Sequence, residues 1–143
     1  MKEGYSYHFD EAVMPVPAGF IDKSVQVMEW PSSAPGQGIM LVISRRAPFA
    51  TFDDDIRRDI DETRTGLKAC VVEADEPGEV GQLVAHYLTM RYVREGKALY
   101  HRQVFVQAAP TRLLTIFAVG PASTRSEIDD LFVSAIDGIR FRE

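Results

Sequence analysis

Apolar and polar residues alternate most clearly from Leu83 to Gln107, where LVAHYLTMRYVREGKALYHRQVFVQ reads as two long strands meeting at Glu95-Gly96. A two-residue turn there, with Gly96 supplying the positive φ such turns need, sets Leu88 opposite Gln103, Met90 opposite His101 and His86 opposite Phe105. That face of the ribbon mixes apolar and hydrogen-bonding groups. The other face carries Ala85, Tyr87, Val104 and Val106, a core-like set facing a helix, with Arg102 and Thr89 at its wetter end.

The remaining pattern predicts strands, a helix, strands and a second helix. Tyr5 to Phe9 alternates, MPVPAGF bends through two prolines, and Ser24 to Trp30 alternates again before the loop PSSAPGQG. Ile39 to Ser44 is apolar on both faces, which predicts a central, doubly covered strand. Thr51 is a suitable N-cap for a first helix, with Asp53, Asp54 and Asp55 at the positive end of its dipole and Phe52, Ile56, Ile60 and Leu67 as its apolar stripe. Cys70 to Val72 reads as a short strand, EADEPGEVG as a loop and Arg112 to Val119 as the last strand. The second helix is marked by a Thr124 to Glu127 capping box and by Ile128, Leu131, Phe132, Ala135, Ile136 and Ile139 at helical spacing.

These elements predict an α+β fold: a curved antiparallel β-sheet of about six strands with two main helices, the second packed flat on one face and the first at a side or edge. Two helices cannot cover both faces of such a sheet. Part of the other face is therefore expected to stay open, and an open apolar face marks a binding surface.

Composition narrows the function classes. A chain of 143 residues with 45% hydrophobic and 26% charged content suits a single domain, here 1–143, that buries roughly two-thirds of its unfolded surface. No run reaches the ~20 apolar residues of a membrane span, so stable membrane insertion is not expected. Net charge is −5, from 16 basic and 21 acidic residues with no basic block, which gives no footprint for nucleic acid. MKEGYSYHFDEAVMP lacks the layout of a secretory signal and Cys70 has no partner cysteine, so the expected location is cytoplasmic.

Candidate chemistry is sparse. His8, His86 and His101 lack metal-ligand spacing, and Cys70 has no base placed beside it, so no metal, no cofactor and no enzymatic activity are expected. GQG at Gly36 to Gly38 precedes a strand and reads as a turn, not a phosphate cradle. Trp30 before Pro31 reads as a strand-end cap on the core. One alternative remains open: His86 and His101 share a ribbon face and could form an acid–base or ligand pocket with a carboxylate from a loop.

Two stretches carry a family resemblance: FDEAVMPVPAGFIDKSVQVMEW followed by LVIS, and YVREGKALYHRQVFV followed by a strand and helix. Together they resemble the DcrB-like proteins of Mog1/PsbP-type fold, and among these the Eag chaperones of type VI secretion effectors in Gram-negative bacteria. The sharpest motifs are D-x-S-x-x-V at Asp22 to Val27 and R-E-G…R-Q-V-F at Arg94 to Phe105, with Gln26 standing where many relatives would have Asn.

The resemblance implies a cytoplasmic homodimeric chaperone. Its concave sheet would hold the transmembrane-type helices at an effector's N-terminus, beside the PAAR region, until the effector is loaded onto the VgrG spike. By the match to those motifs, Gln103 is the first candidate for effector binding, as a polar handle able to donate and accept, with Val25, Val27 and Leu67 as apolar walls. Leu88, His101 and Phe105, on the same ribbon face, complete the candidate lining. Plain core packing is the competing reading of Val25 and Val27.

Overall fold

A computed structural model describes residues 4–9, 12–19, 25–32 and 37–141. In chain order its elements are β1 (Tyr5–Phe9), β2 (Ala12–Val16), β3 (Val25–Trp30), β4 (Ile39–Arg46), α1 (Phe52–Gly66), β5 (Lys68–Val80), β6 (Leu83–Arg94), β7 (Lys97–Ala109), β8 (Arg112–Pro121) and α2 (Arg125–Asp137). Among the described residues β1 and β2 pair only with each other, and the remaining six strands form one antiparallel sheet in the order β3-β4-β8-β7-β6-β5. The predicted α+β class, strand number and helix count all hold.

The β6–β7 ribbon has the register read from its alternation: Leu88 pairs with Gln103, Met90 with His101 and His86 with Phe105. Its turn places both central residues at positive φ, Glu95 at 52° and Gly96 at 75°, the type I′ geometry that follows the strands' own twist. The glycine is well suited to that conformation; the glutamate is held there by the ribbon.

The helices cover opposite faces. α2 buries Ile128, Phe132 and Ile136 against Val104, Val106, Ile116, Ala118 and Tyr100. α1 buries Ile56 and Ile60 against Leu88, Met90, Phe105 and Leu113 on the other face, so it lies on the sheet and not at its side as expected. Thr51 caps α1 by accepting from the Asp54 N–H at 3.3 Å. The capping box expected for α2 is not made: Thr124 Oγ1 instead donates to the Pro121 carbonyl, closing the 3-10 turn (Ala122–Thr124) that leads into the helix.

Several local expectations are corrected. Met14-Pro15-Val16 is strand, because Pro15 sits in a free two-stranded hairpin where a missing N–H is tolerated. Glu73 to Val80 is no loop. It continues β5 as an edge strand, with irregularities around Ala69 and Glu73, and Pro77 there pairs with His86. β4 is interior but second from the edge, and Met40 on it stays exposed. Trp30 is 68% exposed at the end of edge strand β3 and caps no core. Of the GQG turn, Gly36 lies outside the described residues, as do Asp22 and Ser24 of the first family motif.

Candidate functional site

Antiparallel pairing carries three rows of side chains across the face that α1 shares. One row runs Val27, Val42, Phe117, Gln103, Leu88; a second runs Glu29, Met40, Val119, His101, Met90; a third runs Val25, Ser44, Thr115, Phe105, His86. α1 lies over the ends of these rows on β6 and β7. Among the described residues no helix covers their β3, β4 and β8 portions, and Val25 and Val27 are each 54% exposed there.

Between α1 and those strands runs a groove of about 580 Å³ lined by Met40, Leu67, Met90, Gln103, Phe117 and Val119, with His101 in its floor. A smaller hollow of about 260 Å³ adjoins it, where Gln103 and Phe105 meet Ser44, Thr115 and Asp59. Gln103 lines both. It stands where the two hollows join, between Phe117 and the buried Leu88 in the row that starts at Val27.

The structure therefore places the sequence candidates differently. Val25 and Val27 lie on the open face, one strand beyond the groove, and Leu67, just past the end of α1, forms part of the groove wall. Leu88 is 2% exposed beneath α1 and belongs to the core, a correction to its expected place in the lining. Phe105 is also buried, with only an edge on the smaller hollow. Sequence reasoning missed Met40, Val42, Phe117 and Val119. The signal was present in the both-faced apolarity of β4 and β8, but which parity faced open space depended on where α1 landed.

A buried polar cluster sits under the groove. His101 stacks on Phe117 with ring centroids 4.7 Å apart and planes 17° apart. Tyr92 Oη lies 3.0 Å from its Nδ1, and Gln103 Oε1 lies 2.7 Å from its Nε2. Burial pushes the imidazole down to about 4, outweighing the Gln103 hydrogen bond that favours the charged form, so His101 is neutral at pH 7.

His86 belongs to a different setting. Its Nε2 is 2.5 Å from Asp75 Oδ1, and Arg57 of α1 donates to the same carboxylate at 2.8 and 3.2 Å. The Arg57 hydrogen bond, aided by His86, holds the Asp75 carboxyl below the ordinary carboxylate range against the opposing effect of burial. Pairing sets His86 opposite Phe105 and His101 opposite Met90, four residues away along each strand, or about 13 Å at the usual strand rise. The two histidines thus share a face but not a pocket. Among the described residues no group of three or more His, Cys, Asp or Glu side chains could hold a metal ion.

The DcrB family profile matches residues 11–137. The chain belongs to the DcrB family. It is 29% identical over 118 residues to the protein named Effector EagT6 of Pseudomonas aeruginosa, covering 81% of this chain and 82% of that one, which bears out the Eag resemblance. Its fold is that of PA94, a Pseudomonas aeruginosa protein of unknown function, with a TM-score of 0.82 and 23% identity over 99% of both chains. The cyanobacterial PsbP of Synechocystis is more distant, at TM-score 0.50 and 11% identity over 94% of this chain and 89% of that one. The Mog1/PsbP-like fold expected from the sequence is thereby established.

Proposed function

We propose that this protein is a cytoplasmic chaperone for a type VI secretion effector, binding the effector's N-terminal transmembrane-type helices in the open trough and shielding them from water. The observation that carries the reading is the set of three rows across β3, β4 and β8, apolar at Val25, Val27, Met40, Val42, Phe117 and Val119, left uncovered by α1 and meeting the Gln103 amide where they reach β7. The relation to EagT6 supports the same assignment. A protein that works by covering apolar surface needs no reacting group, and the activity is binding without catalysis.

Dimensions suit one helix per copy. From β3 to β7 is three strand spacings, about 14 Å, while a helix with its side chains is about 10–12 Å across. β4, with eight residues, is about 26 Å long, close to the ~30 Å hydrocarbon span of a membrane helix. An effector with two such helices therefore requires two troughs, which favours a homodimer. Release would follow when the effector, with its PAAR region, is seated on the VgrG spike.

Co-purification of the effector's N-terminal segment with the chaperone tests this. Gln103→Leu leaves any polar group of the bound helix unpaired, a loss of about 1–3 kcal/mol, or roughly 5- to 150-fold in affinity. Unchanged recovery of the segment with both Gln103→Leu and the Val25→Asp/Val27→Asp double variant would remove the trough from its assigned role.

A further inference from the structure

The trough's polar handle is not free to choose its polarity. A neutral imidazole has one N–H and one acceptor nitrogen. The Tyr92 hydroxyl lies against His101 Nδ1 at 3.0 Å, and Gln103 Oε1 lies against Nε2 at 2.7 Å. Among the described residues the Tyr92 hydroxyl has no other hydrogen-bond partner, so its proton goes to Nδ1; Nε2 then carries the ring proton and donates to the Gln103 oxygen set against it. Stacking on Phe117 holds the ring in that plane. The Gln103 oxygen is thereby committed to His101, and the amide NH2 is the end left for the groove.

Resting on the trough reading above, we infer that Tyr92 and His101 are positioning residues that fix the Gln103 amide as a hydrogen-bond donor, so that the trough selects apolar helices presenting an acceptor at that depth. The partner chemistry fits this polarity. In an apolar helix the backbone N–H groups are consumed within the helix, and a Ser or Thr hydroxyl donates to the carbonyl four residues earlier. What such a helix still offers outward is oxygen lone pairs. An amide fixed as an acceptor would face them with its own oxygen; an amide fixed as a donor satisfies them.

The test uses the full chain and three 20-residue Leu/Ala helices on a soluble carrier, differing only in a central Ser, O-methylserine or Ala. O-methylserine accepts but cannot donate. Wild type should hold the Ser and O-methylserine helices within two-fold of each other and both at least five-fold more tightly than the Ala helix. His101→Phe keeps the stack on Phe117 but frees the amide; it should reduce the preference for O-methylserine over Ala to less than two-fold, a ratio in which any loss common to all helices from the altered groove floor cancels. Tyr92→Phe, which keeps the ring volume, should weaken the same preference and supports the assignment if His101→Phe proves unstable.

Nitrogen-15 NMR of the free protein should show His101 protonated at Nε2. Protonation at Nδ1, rejection of O-methylserine by the wild type, or an equal loss of all three helices in His101→Phe would overturn the inference while leaving the trough intact. No binding of any helix to a wild type with the expected tautomer would overturn the trough reading itself, and the inference with it.

Discussion

Arg46, the last residue of β4, donates to Asp55 in the first turn of α1 at 3.4 Å and so ties an inner strand of the trough to the helix that bounds it. Asp55 is buried and also accepts from the backbone N–H groups of Phe49 and Ala50 at 3.1 to 3.3 Å. Burial opposes its ionisation, but those N–H groups and Arg46 outweigh it and hold the carboxyl below its ordinary range.

Asp55→Asn should therefore destabilise the fold by about 2–3 kcal/mol, because it removes the charge and turns an amide NH2 toward donors. The folded-state pKa is depressed, so the carboxylate's contribution is complete above pH ~4 and is lost as pH falls through the lower folded value. Thermal melts of wild type and variant should differ by about 5–10 °C at pH 7 and converge in strong acid. A constant difference down to pH 2 would contradict this.

Replacing Val25 and Val27 together by Asp should leave the free protein folded, since both side chains are already half exposed on an edge strand and surface changes there cost about 1 kcal/mol or less. Effector segment recovery should fall at least ~100-fold, because two carboxylates would meet an apolar helix. Collapse of the melt instead would assign these valines to the core.

His86→Ala should leave effector stability in the cell within a few-fold of wild type. The side chain contacts Asp75 and lines neither the groove nor the hollow beside it. Loss of activity with fold and effector binding intact would instead point to acid–base chemistry.

Glu95→Asn should raise the melting temperature by about 2–4 °C. Asn adopts the positive φ of 52° found at Glu95 at lower cost, and Asn-Gly is the favoured pair for a type I′ turn, worth about 0.5–1 kcal/mol here.

Trp30 is the single tryptophan and is 68% exposed on edge strand β3. If two copies associate through that edge, its fluorescence should shift to shorter wavelength as concentration rises into the micromolar range, in step with a doubling of mass by light scattering. A red emission that does not change while the mass doubles would place the dimer contact elsewhere.

The sequence by itself determined the ribbon, its register and both helical stripes, because each is written in local periodicity: two for β6 and β7, 3.6 for α1 and α2. It also marked Gln103 and the valines of β3 through family motifs. β5 was hidden because its acidic, Pro- and Gly-containing half looks like a loop until Arg57, Arg91 and Arg125 reach Asp75 and Glu73 from elsewhere in the chain. Only the tertiary structure decided which side of the sheet stayed open. β4 and β8 are apolar on both faces, so their pattern could not choose a side; α1 chose it by settling on Leu88 and Phe105, which became core, and stopping short of Phe117, Val42 and Val27, which became trough. The orientation of the Gln103 amide was decided the same way, by a tyrosine eleven positions earlier brought across the ribbon to His101. Periodicity records which residues share a face, whereas coverage of that face depends on long-range packing.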